Sequence, residues 1–335
     1  MTRSILLDNA KFLLVFLVIF GHLIEPLIKN QETLKTIYLF VYSFHMPAFA
    51  LISGMLSKID LDQKQLYKLI ETLLIPFVAL TLLYELFNFF TKGSISHYSM
   101  NLQPYWILWF LYSLFIWKLF LPIILKFRYP LLLTILLSLG AGYFESIGYF
   151  LGLSRTIYFF PFFVLGYMLT PQTLMSLKER FNSNSGTIIL LAILALNLLF
   201  FFFFSEMKHQ WLYGSYSYVK LGEDGLSASG MRLLFYAVSL ISVMSVLLLI
   251  SNKRNRYLNG GKHSLYIYVW HGFFIKTFTA LGIISTIGKL PVILSLVVFL
   301  SISLILAKLL SSEIVAHYTT KFLLQPFQKI LLIKS

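Results

Sequence analysis

Residues 10–28, AKFLLVFLVIFGHLIEPLI, decide the class of this protein. They form an apolar run whose ionisable side chains are Lys11, His22 and Glu25. A helix of about 20 mostly apolar residues is long enough to cross the hydrocarbon core of a bilayer. The run follows a basic residue, Arg3, and no small-residue cleavage site comes after it. We therefore expect an uncleaved membrane helix and not a secretory signal peptide.

Nine further apolar stretches of similar character follow this run. They lie approximately at residues 37–56, 73–90, 106–125, 130–151, 156–170, 187–204, 232–250, 264–284 and 290–310. The backbone finds no hydrogen-bond partner in hydrocarbon, so each stretch is expected to be helical. The sixth stretch is short and contains Pro161. We expect an all-α polytopic membrane protein of about ten transmembrane helices, with residues 1–312 as the membrane domain and 313–335 as a basic, amphipathic cytoplasmic tail.

The composition favours contact with lipid over the whole chain. Of the 335 residues, 58% are hydrophobic and 12% charged, and the mean hydropathy is +0.81. A soluble domain has roughly 25% charged residues. There is no cysteine, which excludes disulfides, thiolate metal ligands and a cysteine nucleophile. The net charge of +14 is spread over short segments between apolar stretches, a pattern typical of membrane topology and not of nucleic-acid binding.

The basic residues also predict the orientation of the chain. With a cytoplasmic N-terminus, 15 of them lie in inner segments: Arg3, Lys58, Lys64, Lys68, Lys126, Arg128, Lys178, Arg180, Lys253, Arg254, Arg256, Lys262, Lys321, Lys329 and Lys334. Eight lie in outer segments: Lys29, Lys35, Lys92, Arg155, Lys208, Lys220, Arg232 and Lys289. Because cytoplasmic loops carry the excess of Lys and Arg, we expect both termini in the cytoplasm. The membrane is then expected to be the inner (plasma) membrane of a bacterial cell.

Ionisable groups inside a membrane are costly and mark functional sites. Lys11 and His22 are eleven residues apart, which places them on nearly one helix face and about 16 Å apart along the axis. Asp8 can pair with Lys11, and Glu25 can orient His22, because each lies one turn away. Histidine suits proton transfer near neutral pH, so His22 is a candidate general base or transient nucleophile. Alternatively, Lys11 snorkels to the headgroups and His22 bonds to a neighbouring helix.

Polar side chains on other helices are expected near the depth of His22. His45 lies in Phe44-His45-Met46-Pro47 on the second helix, with Ser53 further along it. The others are Glu85, Trp109, Glu145 and Arg155. Each can be purely structural, but together they predict a cavity in the outer half of the membrane. His271 is expected in the inner half, where it lines a vestibule or bonds to another helix.

An outer loop at about 205–231 is rich in aromatic residues. It contains Trp211, Tyr213, Tyr216 and Tyr218. Such rings are typical of an interfacial belt and can also stack on sugars.

Several of these segments resemble, in order and spacing, the acyltransferase 3 family of membrane O-acyltransferases, and within it the fucose 4-O-acetylase-like group. The matching segments are Leu7-Asp8-Asn9-Ala10-Lys11, Val18-Ile19-Phe20-Gly21-His22, Phe44-His45-Met46-Pro47 with Ser53-Gly54, Leu74-Ile75-Pro76-Phe77, Trp109-Phe110-Leu111-Tyr112, Phe160-Pro161-Phe162-Phe163 with Gly166-Tyr167, and Ser264-Leu265-Tyr266-Ile267-Tyr268 with His271. The resemblance covers about residues 5 to 310.

The resemblance implies ten membrane helices with both termini in the cytoplasm. It implies transfer of an acyl group, usually acetyl from cytoplasmic acetyl-CoA, to a hydroxyl of a cell-envelope or secreted glycan. His22 is then the catalytic histidine and Lys11 its basic partner. A thioester is already activated, so this chemistry needs a base or nucleophile and no metal.

One departure from the family pattern concerns the acyl-CoA. The family often has two basic residues just before the Leu-Ile-Pro of its third helix, where this chain has Leu69 and Thr72. Only Lys64 and Lys68 lie near, so the segment Lys253 to Arg256 is an alternative holder of the CoA phosphates.

Two other classes of function are considered. A transporter or flippase for a glycan or lipid-linked sugar also uses intramembrane charges and broken helices. However, no matching pair of half-length helices is evident in the two halves of the sequence. A non-catalytic scaffold is the third possibility, which the intact Lys11 and His22 disfavour.

Overall fold

The computed structural model describes residues 4–59, 61–253 and 259–332. Within these ranges the regular secondary structure is helical, without a β-strand. The first nine α-helices are α1 (Ile5–Ile24), α2 (Glu32–Met55), α3 (Gln63–Leu69), α4 (Ile75–Lys92), α5 (His97–Met100), α6 (Trp109–Ile124), α7 (Pro130–Ala141), α8 (Leu153–Met168) and α9 (Pro171–Arg180). The remaining eight are α10 (Asn184–Phe203), α11 (Tyr218–Leu221), α12 (Leu226–Leu249), α13 (Ser264–Ala280), α14 (Ile283–Ile287), α15 (Val292–Leu310), α16 (Glu313–Thr319) and α17 (Gln325–Leu331).

Eight helical segments of the described chain are long and apolar enough to cross a membrane. They are Ile5–Leu27, Glu32–Met55, Gln63–Lys92, Trp106–Ile124, Phe150–Met168, Asn184–Phe203, Leu226–Leu249 and Val292–Leu310. The chain is thus an all-α, multi-pass membrane protein. The two other predicted spans contain shorter helices, α7 with 12 residues and α13 with 17. The count of ten and the cytoplasmic termini stay predictions, and Arg3, Arg254, Arg256 and Lys334 lie outside the described residues.

The fifth predicted span is wrong in its length. Residues 130–151 were expected to be one helix, but α7 ends at Ala141. The backbone N–H of Tyr218 donates to the Gly142 carbonyl at 2.7 Å, and the Tyr218 ring fills the place where a Cβ on residue 142 would lie. This long-range contact stops the helix, because it takes a carbonyl that the next turn needs. The sixth span, predicted as short, is helical from Phe150 to Met168 and contains Pro161.

Two π-helical turns each precede a proline in a Leu-Leu-X-Pro-Phe segment. Ile70–Leu74 joins α3 to α4 before Pro76, and Thr320–Leu324 joins α16 to α17 before Pro326. Proline has no N–H and its ring clashes with the carbonyl four residues earlier. A wider turn relieves that clash, and π turns occur as such local insertions within helices. The second of these helices, α17, packs against α4.

The chain divides into two compact units. Unit 1 comprises Met1–Phe49, Thr170–Leu212 and Phe235–His317, and unit 2 comprises Ala50–Leu169, Tyr213–Leu234 and Tyr318–Ser335. In unit 1, α1 packs against α13 and α15. Asn197 on α10 ties two further helices together, since its side-chain amide donates to Ser43 Oγ at 3.0 Å and to Ser242 Oγ at 2.7 Å. Such shared polar contacts hold apolar helices in one register, because hydrocarbon offers no other partner.

In unit 2, α8 is the central helix and packs against α6 and α7. The Ser113 and Thr156 hydroxyls are 2.6 Å apart, and Trp117 Nε1 donates to the Thr156 carbonyl at 2.7 Å. The end of α2 also crosses α8 with the backbones in contact. A Cβ on Gly54 would overlap the Phe163 carbonyl oxygen, and a Cβ on Gly166 would overlap the Leu51 carbonyl oxygen. Small residues allow this approach at helix interfaces in membranes.

We expect Gly54→Ala to destabilise the protein by about 1–3 kcal/mol, because the added methyl group must push two backbones apart. Gly140→Ala is the matched control, since nothing lies within 4 Å of its added Cβ. Alanine is also the better helix former there. Thermal unfolding of both variants in one detergent is the measurement. Equal melting temperatures for the two variants would contradict the close crossing.

Candidate active site

His22 and Glu25 form a pair at the end of α1. Glu25 begins a 3₁₀ turn that contains Pro26, and this turn follows the last residue of the helix directly. The His22 Nδ1 atom is 3.1 Å from Glu25 Oε2. A carboxylate only accepts hydrogen bonds, so the proton of a neutral His22 lies on Nδ1 and the lone pair on Nε2. This is the arrangement in which a carboxylate orients a histidine that acts as a base.

His271 on α13 lies beside His22. The ring centroids are 5.8 Å apart and the ring planes differ by 24°. Sequence reasoning placed His22 in the outer and His271 in the inner half of the membrane, and this separation is wrong. The helix α13 starts beside the N-terminal turns of α1, where a Cβ on Gly261 would overlap the Asp8 carbonyl oxygen. The first eight residues of α13, Ser264 to His271, then bring His271 to the level of the last turns of α1.

The His271 side chain is fully buried, and only one of its two ring nitrogen atoms has a hydrogen-bond partner among the described groups. Its Nδ1 atom lies 3.1 Å from the Ile267 carbonyl of its own helix, so Nδ1 carries the proton and Nε2 the lone pair. The Nε2 atom is buried and no group of the described chain forms a hydrogen bond with it. The cost of such an unsatisfied acceptor is about 1–3 kcal/mol. A ligand that donates a hydrogen bond to Nε2 relieves this cost.

His45 on α2 is another buried histidine of unit 1. Its Nδ1 atom lies 2.9 Å from the Val41 carbonyl, and the residue is buried. The Tyr42 ring packs against it, with 4.5 Å between centroids. The same Tyr42 ring passes close to Gly21, where an added Cβ would come within 2.9 Å of it. Glycine before His22 therefore lets α2 approach α1 closely enough to bring Tyr42 next to the His22 turn.

At the other end of α1, Lys11 pairs with Asp8. The Nζ to Oδ1 distance is 2.9 Å, and both side chains are mostly buried. Asn9, which sequence reasoning did not select, fixes this end of the helix. Its side-chain amide donates to the Ser251 carbonyl at 2.8 Å and to the Lys253 carbonyl at 3.1 Å. One side-chain pair thus lies near each end of α1, Asp8 with Lys11 and His22 with Glu25, as the three-residue spacings predicted.

The other candidate residues belong to unit 2. Glu85 on α4 is bound within its own unit, since it accepts from the Ser96 N–H at 2.9 Å and from Ser99 Oγ at 2.6 Å. The Ser53 carbonyl accepts from Ser57 Oγ at 2.7 Å. Trp109, at the start of α6, contacts Arg155 in the first turn of α8, with Cζ 5.1 Å from the ring centroid. That these residues share a cavity with His22 stays a prediction.

Glu145 is not on a membrane helix. It was expected late on the fifth helix, but α7 ends before it and the residue is exposed in the following loop. The reason is the contact of Gly142 with Tyr218, which a local apolar pattern does not reveal.

Lys118 is an intramembrane cation that sequence reasoning missed. It lies on α6, and its Nζ donates to Ser57 Oγ at 3.0 Å. The available signal was a single lysine within an otherwise apolar span.

The described residues proposed for the CoA phosphates lie at the surface of the chain. Lys64 and Lys68 are exposed on α3, and Lys253 is exposed at the end of the segment 251–253. Arg254 and Arg256 lie outside the described residues.

The helices define a multi-pass membrane protein, and the half-buried His22 paired with Glu25 is a candidate base within it. A family described as an acyltransferase domain, the acyltransferase 3 family, matches residues 5–311. The chain belongs to this family and is a membrane acyltransferase. Curated proteins and solved structures yield no match to the sequence. Within the described ranges, no group of three or more His, Cys, Asp or Glu side chains is arranged to hold a metal ion.

We expect Asn9→Asp to destabilise the protein more than Asn9→Ala does. Asn9→Ala removes two hydrogen bonds from a buried position, at about 1 kcal/mol each. Asn9→Asp instead directs carboxylate oxygens at two carbonyl oxygens, and a buried charge without a donor is far more costly. Thermal unfolding in detergent is the measurement. If the Asp variant is as stable as the Ala variant, the Asn9 amide does not hold residues 251–253 against α1.

Proposed function

We propose that this membrane acyltransferase transfers an acetyl group from cytoplasmic acetyl-CoA to a hydroxyl of a cell-envelope or secreted glycan. The observation that carries the proposal is the pairing of His22 with Glu25 in a chain of the acyltransferase family. Membership of the fucose 4-O-acetylase-like group stays a prediction and is consistent with a sugar hydroxyl as the acceptor.

His22 acts as the general base in the proposed step. Its Nε2 atom takes the proton of the glycan hydroxyl while the hydroxyl oxygen attacks the thioester carbonyl. The tetrahedral intermediate then collapses, the carbon–sulfur bond breaks, and the imidazolium returns its proton to the departing thiolate. The products are an O-acetyl ester and CoA. Glu25 stabilises the imidazolium, because its carboxylate already accepts from Nδ1. In the alternative route, His22 carries the acetyl group for one step before the glycan accepts it.

His271 is proposed to position the acceptor. Its buried Nε2 lone pair lies on the ring that stacks on His22, and it lacks a donor among the described groups. A second hydroxyl of the sugar can donate to it while the reacting hydroxyl faces His22. His45 supports this arrangement through Tyr42, which packs between it and the Gly21 turn.

Lys11 is proposed to act at the donor side of the reaction. Its ammonium group has three donors, and Asp8 takes one of them. The remaining donors can meet an oxyanion or a phosphate of the acyl-CoA. Ser53, Glu85, Trp109 and Arg155 are proposed as supporting residues of the acceptor side, and exposed Glu145 as a contact for the incoming glycan.

We expect His22→Ala to lower acetyl transfer by about 100-fold or more, since a positioned base contributes roughly 10²–10⁴ in rate. The assay measures label passing from acetyl-CoA to an envelope glycan in membranes that contain equal amounts of each variant. His97→Ala is the control, because His97 is exposed on the short helix α5. Unchanged transfer in a correctly inserted His22 variant would refute the assignment. A flippase would move the glycan without any labelled ester.

The variants His271→Asn and His271→Gln distinguish the roles of the two ring nitrogen atoms of His271. Asn keeps a donor near Nδ1 and loses the acceptor, whereas Gln places an acceptor near Nε2 and loses the donor to Ile267. If Nε2 holds a sugar hydroxyl, we expect His271→Asn to raise the KM for the glycan by about tenfold, the loss of one hydrogen bond. His271→Gln should keep a KM nearer to the original. The reverse order of the two variants would show that the bond to Ile267 matters instead.

A further inference from the structure

Arg155 in unit 2 is surrounded by three aromatic side chains. Its Cζ atom lies 5.1 Å from the Trp109 ring centroid, 5.3 Å from that of Tyr149 and 5.6 Å from that of Tyr213. We call these four residues the Arg155 cage. Rings at such distances attract a cation electrostatically and shield it from water.

The guanidinium of the cage has no anionic partner. No described residue forms a hydrogen bond or an ion pair with the Arg155 guanidinium, and its Nε atom is buried without a partner. The exposed Glu145, ten residues earlier, does not pair with it. Arginine has five N–H donors in a planar fork. The cage therefore presents a shielded positive charge whose hydrogen-bonding capacity the described protein leaves unused.

Arg232 in the same unit shows what a structural arginine looks like in this protein. It also contacts two rings, with Cζ 4.4 Å from the Tyr218 centroid and 5.3 Å from the Tyr158 centroid. Its Nε atom, like that of Arg155, has no partner among the described groups. However, Arg232 is almost fully buried and its Nη1 donates to the Ser138 carbonyl at 2.6 Å. Arg155 is only half-buried and has no such bond. The difference favours a ligand-binding role for Arg155.

The loops that carry the cage are fixed by hydrogen bonds and hold strained backbone. The Leu151 N–H donates to the Leu102 carbonyl at 2.9 Å, and Ser154 Oγ donates to the Gly214 carbonyl at 2.7 Å, next to Tyr213. The non-glycine residues with positive φ in the described chain are Leu102 (51°), Trp106 (30°) and Leu151 (47°). All three lie in the loops around Arg155. Such strain costs about 1–3 kcal/mol per residue and persists where a site needs a fixed geometry.

A third tyrosine, Tyr216, adds a neutral hydroxyl beside the cage, with its ring 5.6 Å from that of Tyr149. Burial raises the pKa of Tyr216 to about 12, its hydrogen bond and charge coupling to Tyr149 add to this, and Arg155 opposes it. The phenol therefore stays protonated at physiological pH and places no negative charge next to the guanidinium.

We infer that the Arg155 cage binds an anionic group of the acceptor glycan, a sugar carboxylate or phosphate. This inference rests on the proposed function, because it assigns an acidic sugar as the acceptor. The guanidinium fork matches the two oxygens of a carboxylate or phosphate. The stacked rings hold the fork in place and lower the local dielectric, which strengthens the charge-assisted bonds.

The test measures binding of defined saccharides to the purified full chain in detergent by calorimetry, without acyl-CoA. The probes are a glucuronic-acid-containing tetrasaccharide, the same tetrasaccharide with its carboxyl groups reduced to alcohols, a phosphorylated oligosaccharide, and CoA. Charge-assisted hydrogen bonds contribute about 1.5–3 kcal/mol, so we expect at least one acidic saccharide to bind ten- to a hundredfold more tightly than the neutral one. Tighter binding of the glucuronic-acid-containing tetrasaccharide indicates a carboxylate ligand, and tighter binding of the phosphorylated oligosaccharide indicates a phosphate ligand.

Arg155→Gln should abolish this preference and Arg155→Lys should reduce it, since lysine lacks the planar fork. Arg128→Gln is the matched control, because Arg128 is exposed and contacts only the Tyr129 ring. The inference is wrong if the original protein binds acidic and neutral saccharides equally, or if Arg155→Gln retains the preference. It is also wrong if Arg155→Gln weakens CoA binding and leaves saccharide binding intact.

The His22→Ala variant separates this inference from the proposed function. It should keep the preference for the acidic over the neutral saccharide, since this preference depends on the Arg155 guanidinium. If acetyl transfer occurs but the preference for the acidic saccharide is absent or does not depend on Arg155, the cage assignment is refuted and the proposed function is not. Retained binding without any acetyl transfer by the original protein refutes the proposed acetylation instead.

Discussion

Every polar group inside the membrane must find its partner within the protein, because hydrocarbon provides none. This constraint explains most of the buried polar contacts described above. Asn197 joins three helices through two hydroxyl groups, and Thr156 binds both Ser113 and Trp117. Within such a well-partnered interior, an orphaned buried atom stands out. The Nε2 atom of His271 and the Nε atom of Arg155 are two such atoms. Each belongs to a side chain that is proposed to bind the substrate.

The helix α1 organises the catalytic proposal, because one side-chain pair lies near each of its ends. Each pair joins residues three positions apart, Asp8 with Lys11 and His22 with Glu25. About 16 Å of helix separates Lys11 from His22, half the thickness of the hydrocarbon core. If the donor enters from the cytoplasm, the acyl group must travel along this helix.

The sequence predicted what depends on local periodicity and missed what depends on distant contacts. Apolar runs located the membrane helices, and three-residue spacings located both charged pairs. The end of α7 was missed because Tyr218, far along the chain, takes the Gly142 carbonyl. The proximity of His271 to His22 was missed because it depends on how α13 packs against α1. Asn9 was overlooked because its two carbonyl partners lie in a distant loop. Lys118 differs from these residues, because a single lysine within an apolar span is itself a local signal of an intramembrane cation.

The repeated Leu-Leu-X-Pro-Phe segment has a consequence for how the chain is handled. Both copies form a widened turn before proline, and α17, which follows the second copy, packs against α4, which follows the first. The last described helix therefore belongs to the scaffold of unit 2. Shortening the chain before residue 320 for expression would remove one side of a helix pair, and the exposed face of α4 would favour aggregation in detergent. A purification tag is safer beyond Leu331 than in place of this helix.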